Sequence, residues 1–179
     1  MKSSENEEKR ASAVKDALFS HLARLANMQD FIISQRTEAS LFTISDPRVR
    51  RAMLAILVDS REHYMALIRT VPGIEELRDS RRGASVLRLP IKEGETEEEI
   101  LVHQLNVLKS LEISWELVLK FLDLIAEREF VDNGVYIRAA KLRRLARTIL
   151  RRHRENIRVI ERALKLYREG HIRIRTSRG

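Results

Sequence analysis

The sequence predicts an all-α protein, an antiparallel four-helix bundle of two helical hairpins joined by a long crossover. Three observations carry this. Apolar residues recur at helical spacing through four long stretches, and the 179-residue chain contains only 6 Gly and 3 Pro. Two junctions between stretches are too short for anything but an antiparallel return. The third, residues 72–95, holds Pro72-Gly73, Gly83 and Pro90, and at about 3.3 Å per residue it can cross a bundle from end to end.

Residues 1–10 are polar and charged and read as a disordered lead-in to a domain spanning 11–169. The first helix, 11 to 42, carries Leu18, Leu22, Leu25, Ile32, Ala39 and Phe42 on its main stripe, widened by Phe19, Ala26 and Ile33. Ser45-Asp46-Pro47 opens the second, a capping side chain followed by proline where no N–H is needed. Val49, Met53, Ile56, Ser60, His63 and Leu67 then share one line until Pro72-Gly73 stops the helix. Within the crossover, only 74–78 has the pattern of a helical turn. Thr96, with Glu97, Glu98 and Glu99 behind it, caps the third helix, which runs to about Arg128 with Leu101, Leu105, Leu108, Glu112, Trp115, Leu119 and Leu122 facing inward. Residues 130–135 read as a short turn. The fourth helix runs to Glu169 on Leu142, Ala146, Ile149, His153, Ile157, Ile160, Leu164 and Tyr167, and residues 170–179 form a basic tail.

The totals narrow the function classes. No apolar run is long enough to span a membrane, so no membrane partner is expected, and the polar N-terminus lacks a signal-peptide core, which points to the cytoplasm. With no cysteine, any metal must use His and carboxylate ligands. The density of both charge signs also fits a heat-adapted protein that uses ion-pair networks. There is no glycine-rich phosphate loop or nucleophile elbow, so the expectation leans away from an enzyme.

The second helix, with Asp46-Pro47, its aliphatic period and Asp59-Ser60-x-x-His63, resembles the second helix of ferritin-like proteins of the rubrerythrin, di-iron carboxylate kind. In that superfamily, each half supplies one carboxylate from its first helix and Glu-x-x-His from its second. The two halves of this chain align on pattern: a shift of 82 residues lays Asp30 over Glu112, and a shift of 90 lays His63 over His153. The resemblance thus implies metal-ligand positions at Asp30, His63, Glu112 and His153, with Asp59 one turn before His63 as a further ligand or orienting group. Both bridging glutamates are replaced, by Ser60 and Leu150. A degenerate site follows, with a single iron, manganese or zinc ion or no cofactor at all. In the metal-free case the same acids and histidines form a buried hydrogen-bonded cluster.

Residues 138–178 hold 15 Lys/Arg against 3 Asp/Glu, whereas residues 93–132 hold 3 against 11. Arg143, Arg147, Arg151, Arg154, Arg158, Arg162 and Lys165 form a ridge along the fourth helix, which Arg173 and Arg175 extend. Such a ridge suits sequence-independent binding of nucleic acid or another polyanion, unless the acidic third helix neutralises it. The broad stripe of the first helix suggests a homo-oligomer. The expectations are therefore a non-catalytic binding or structural protein with a reduced metal site, a metal-dependent oxidoreductase or metal-storage protein with an atypical His/carboxylate site, or a nucleic-acid-binding protein.

Overall fold

A computed structural model describes residues 2–31, 38–80, 96–132 and 134–170. Among these the chain is mostly helical: α1 (Lys2–Phe31), α2 (Glu38–Thr43), α3 (Pro47–Thr70), α4 (Ile74–Ser80), α5 (Glu97–Leu124), a hairpin of β1 (Glu129–Asp132) and β2 (Val135–Arg138), and α6 (Ala139–Arg168). The tail after Gly170, with Arg173 and Arg175, lies outside the described residues, as does most of the crossover.

The capping chemistry is local and forms as the sequence predicts. The Asp46 carboxylate accepts from the Arg48 and Val49 amides at 2.7 and 3.3 Å, with Pro47 at the first helical position. Thr96 and Glu99 form a reciprocal capping box at the start of α5. The inward line of α3 is also as predicted, with Val49, Met53, Ile56, Ser60, His63 and Leu67 all buried.

Four expectations need correction. Helix α1 starts at Lys2, so residues 2–10 extend the helix. Their Glu, Lys and Arg are strong helix formers, and polarity alone did not distinguish them from a lead-in. The first stripe does not hold at its far end: α1 is described to Phe31 and α2 over Glu38–Thr43, Ile32 and Ile33 lie outside the described residues, and Phe42 is 87% exposed while Ile44 takes the core position. Residues 129–138 form a β-hairpin pairing Glu129 with Arg138 through Asp132 with Val135. The alternation Phe130, Val135, Ile137 buries one face of it. Finally, 74–80 is a full helix whose Ile74 and Leu77 join the core.

Helix α1 packs on α3, α4 and α5, and α6 packs on α3 and α5. Directions follow from the contacts. Lys15 reaches Glu127 at one end of α5 and His21 reaches the Ser114 carbonyl further back, so α1 and α5 are antiparallel. Glu98 with Arg168 and Asp123 with Arg143 make α5 and α6 antiparallel, and Asp59 with Asn156 together with His63 against His153 does the same for α3 and α6. Helices α3 and α5 therefore run the same way. Glu97 fixes this at their starts, its Oε1 accepting from the Ser45 amide and hydroxyl, both at 2.5 Å.

The buried apolar residues fall into two main clusters. One gathers Leu18, Leu22, Leu67, Trp115, Leu122 and Ile149 with the hairpin; the other gathers Ile44, Met53, Ile56, Leu101, Leu108 and Ile160. Along α3 and α6 the boundary between them is occupied by Ser60, His63, His153 and Asn156.

Gly73 ties the α3–α4 turn to the hairpin. Its φ is +86°, and a Cβ there would lie 2.6 Å from the Gly134 carbonyl oxygen. Gly134 has φ +78° but open space around it. Gly134→Ala should cost ~1–2 kcal/mol, the left-handed penalty alone, and Gly73→Ala distinctly more because backbone must also move. Denaturant unfolding of the two variants checks the order, and equal losses would show that the close approach is relieved without effort.

Candidate functional site

Helices α3 and α6 bring His63 and His153 together at the boundary between the two clusters. The rings meet edge to face with centroids 5.1 Å apart. His153 is fully buried and neither of its ring nitrogens has a hydrogen-bond partner; Nδ1 of His63 is likewise unpartnered. Burial lowers the His63 pKa to about 4; the Asp59 carboxylate opposes that shift and Arg152 reinforces it. Burial and then the neighbouring His63 lower His153 to about 3. Both imidazoles are neutral at pH 7. They are poor general bases there, since efficient proton transfer needs a pKa near the working pH. Neutral imidazole is, however, the form that ligates metals.

The carboxylates are placed differently from the histidines. Asp59 accepts from Asn156 Nδ2 at 3.2 Å beside the pair. Glu112 is drawn to the surface, where Arg154 Nε donates to it at 2.7 Å and the same guanidinium holds Glu116 at 2.8 Å. Asp30 is half-buried, while its neighbour Gln29 is 1% exposed and takes the inward position, at i+4 from Leu25. A neutral amide is cheaper to bury than a carboxylate, which the spacing alone did not weigh. Among the described residues, no group of three or more His, Asp or Glu side chains is placed to hold a metal. With Ser60 and Leu150 buried at the bridging positions, the residues present do not fit a two-metal centre, because nothing offsets the second cation. Trp115, expected in the core, buries an unpartnered Nε1, and Gln29 and Gln104, not among the expected site residues, also bury unpartnered polar atoms.

The second feature is the outer surface of α6. Part of its charge is neutralised by α5: Arg143 pairs with Asp123, Arg154 with Glu112 and Glu116, and Arg168 with Glu98. Within the helix region, Arg152 pairs with Glu155 and Lys165 with Glu169. Arg147, Arg151, Arg158 and Arg162 are exposed and have no ion-pair partner among the described residues, and Arg144, which the sequence reading passed over, joins them. At 100° per residue these five lie within an arc of about 60°, and at 1.5 Å per residue they span about 27 Å. An open groove of ≈ 490 Å³ between α5 and α6 has Leu119 and Leu150 in its floor and Arg147, Arg151 and Arg158 on its rim. A second of ≈ 460 Å³ shares Arg147 and Arg151 and continues toward Arg144.

No protein-family model, no curated protein and no solved structure matches the chain.

The histidine pair gives a signed pH dependence. Both folded-state values lie below the ordinary 6.5, so between them the unfolded chain holds more protons and stability rises with pH. The stability contributed by the neutral pair is whole above about pH 6.5 and is lost as pH falls toward 4 and then 3. In urea unfolding from pH 7 to pH 4.5, the midpoint should fall less steeply for a His63→Gln, His153→Gln double variant than for the native chain. An unchanged slope would assign the effect to other groups.

Proposed function

We propose that this chain is a non-catalytic protein of the ferritin-like four-helix type that binds a polyanion, duplex nucleic acid first of all, along the outer face of α6. The architecture part rests on the contact pattern: α1 and α6 each pack on both α3 and α5, α3 and α5 run parallel, and the second helices of the two hairpins meet through His63 and His153. The function rests on one observation, the row of Arg144, Arg147, Arg151, Arg158 and Arg162 left without acidic partners while α5 pairs with Arg143, Arg154 and Arg168.

A rigid helix holding five guanidinium groups on one face pays little conformational entropy to present them, and each can neutralise a backbone phosphate. Aromatic side chains are absent from that row, so base stacking contributes nothing and sequence goes unread. Affinity for two unrelated duplexes should be equal, with a log–log salt slope of about −4 to −5, or roughly a few hundredfold loss between about 50 and 200 mM salt. The Arg147→Ala, Arg151→Ala, Arg158→Ala variant should bind more weakly and reduce the slope by about 3. Retention that ignores those replacements removes the reading.

A second reading places a single divalent ion at His63 and His153. The unpartnered nitrogens of both rings favour it, since a metal would give two neutral imidazoles the bonds that the protein does not. The ion would act there as a cross-link between α3 and α6. Elemental analysis of protein purified without added metal should then find about one zinc, iron or manganese per chain, absent from a His63→Ala, His153→Ala variant. Metal-free native protein excludes this reading and leaves the α6 proposal untouched.

A further inference from the structure

Helix α3 buries one line of side chains and exposes apolar residues among charged ones on the opposite line. Leu54 is 50% exposed, Val58 48% and Met65 46%, with Ala55 exposed between the first two. The apolar side chains of α1 from Leu18 to Ala26 are buried instead, so that part of the stripe that suggested self-association in the sequence is already spent within the chain. The outward face of α3 is not.

Two charged residues bracket Leu54, Ala55 and Val58, with Met65 and Arg69 further along the same line. Arg51 and Glu62 are both exposed and have no ion-pair partner among the described residues. Eleven residues apart, they differ by about 20° around the helix and stand roughly 16 Å apart along it. Read along α3, the face runs from a cation through Leu54, Ala55 and Val58 to an anion. Such a row is complementary to itself when reversed. In an antiparallel pair related by a two-fold axis, the same side of each helix faces the same side of its mate, so a residue at position i meets one at a constant sum of positions. Centring the axis between Ile56 and Leu57 sets Arg51 against Glu62 of the second copy, twice, and Ala55 against Val58 of the second copy, twice, with Leu54 flanking this row at the level of Asp59 of the second copy.

We propose that α3 docks antiparallel on α3 of a second copy of this chain, through Leu54, Ala55 and Val58, with two Arg51–Glu62 ion pairs setting the register. The apolar centre supplies the attraction; the ends exclude the parallel arrangement, which would set Arg51 against Arg51 and Glu62 against Glu62.

Sedimentation equilibrium of the full chain without nucleic acid tests this independently of polyanion binding. The native protein should approach twice the chain mass over the micromolar range, and Val58→Asp should return it to the single-chain mass with an unchanged helical circular-dichroism signal. Arg51→Glu and Glu62→Arg should each weaken association about tenfold, because each reverses two symmetric pairs. The Arg51→Glu, Glu62→Arg double variant should recover it, since the row is then reversed as a whole. A native chain that stays single throughout, an oligomer indifferent to Val58→Asp, or a double variant as weak as the single ones overturns the proposal.

Discussion

Helix α6 carries eleven Lys and Arg side chains between Ala139 and Arg168 against two glutamates, and it must keep all of them out of a core that it also closes. The solution is a sharp division around the helix. Leu142, Ala146, Ile149, His153, Ile157, Ile160 and Leu164 face inward, and the cations take the rest of the circumference. Charge on the flank beside α5 meets carboxylates, at Asp123, Glu112, Glu116 and Glu98. Charge opposite the core meets water. Each exposed pair stabilises by at most about 1 kcal/mol, so these bridges align α5 with α6 more than they hold them together. The apolar line does the holding, and the arginines it does not constrain become a surface feature available for binding.

The same division explains what happens to the polar residues inside. Two imidazoles at 5.1 Å within the core cannot both be charged, and burial keeps both neutral. Without bridging carboxylates, and with Glu112 held by Arg154, there is no negative charge between the rings to raise their basicity; Asp59 stands to one side, bonded to Asn156. Chemistry that needs proton transfer near pH 7 is therefore poorly served by this interior. What the pair provides is a polar interruption of the core, and with it a sensitivity to acid.

How far the sequence could be read depended on how local the cause was. The Asp46-Pro47 and Thr96–Glu99 caps were legible because each is complete within four residues. The α3 line was legible because no break disturbs its phase from Val49 to Leu67. Phase also explains the failures. A stripe carried from Leu18 to Phe42 put Phe42 inside where Ile44 sits instead, and a line through Glu112 assumed a partner inside the core when a cation one helix away offered a better one. The hairpin had a signal that went unused: Asn133-Gly134 between Phe130-Val131 and Val135-Tyr136-Ile137 is the composition that two-residue hairpin loops favour. Helical surroundings on both sides hid it. The meeting of His63 with His153 is the long-range feature that pattern did reveal, because a 90-residue shift between hairpins places equivalent positions at one level.

That shift also separates what the two hairpins share from what they do not. It carries buried Val49, Ile56, Ser60, His63 and Leu67 of α3 onto buried Ala139, Ala146, Leu150, His153 and Ile157 of α6. Outside, it carries Leu54 onto Arg144, Val58 onto Thr148 and Met65 onto Glu155. Those interior positions answer to the same packing problem twice, although buried Met53 and Leu57 fall on Arg143 and Arg147, outside the core of α6. Exposed positions answer to no such problem, and an apolar side chain held in water or an arginine held without a partner gains nothing for folding. The contrast between exposed apolar residues on α3 and an outward cationic row on α6 is therefore the part of this molecule that packing leaves unexplained.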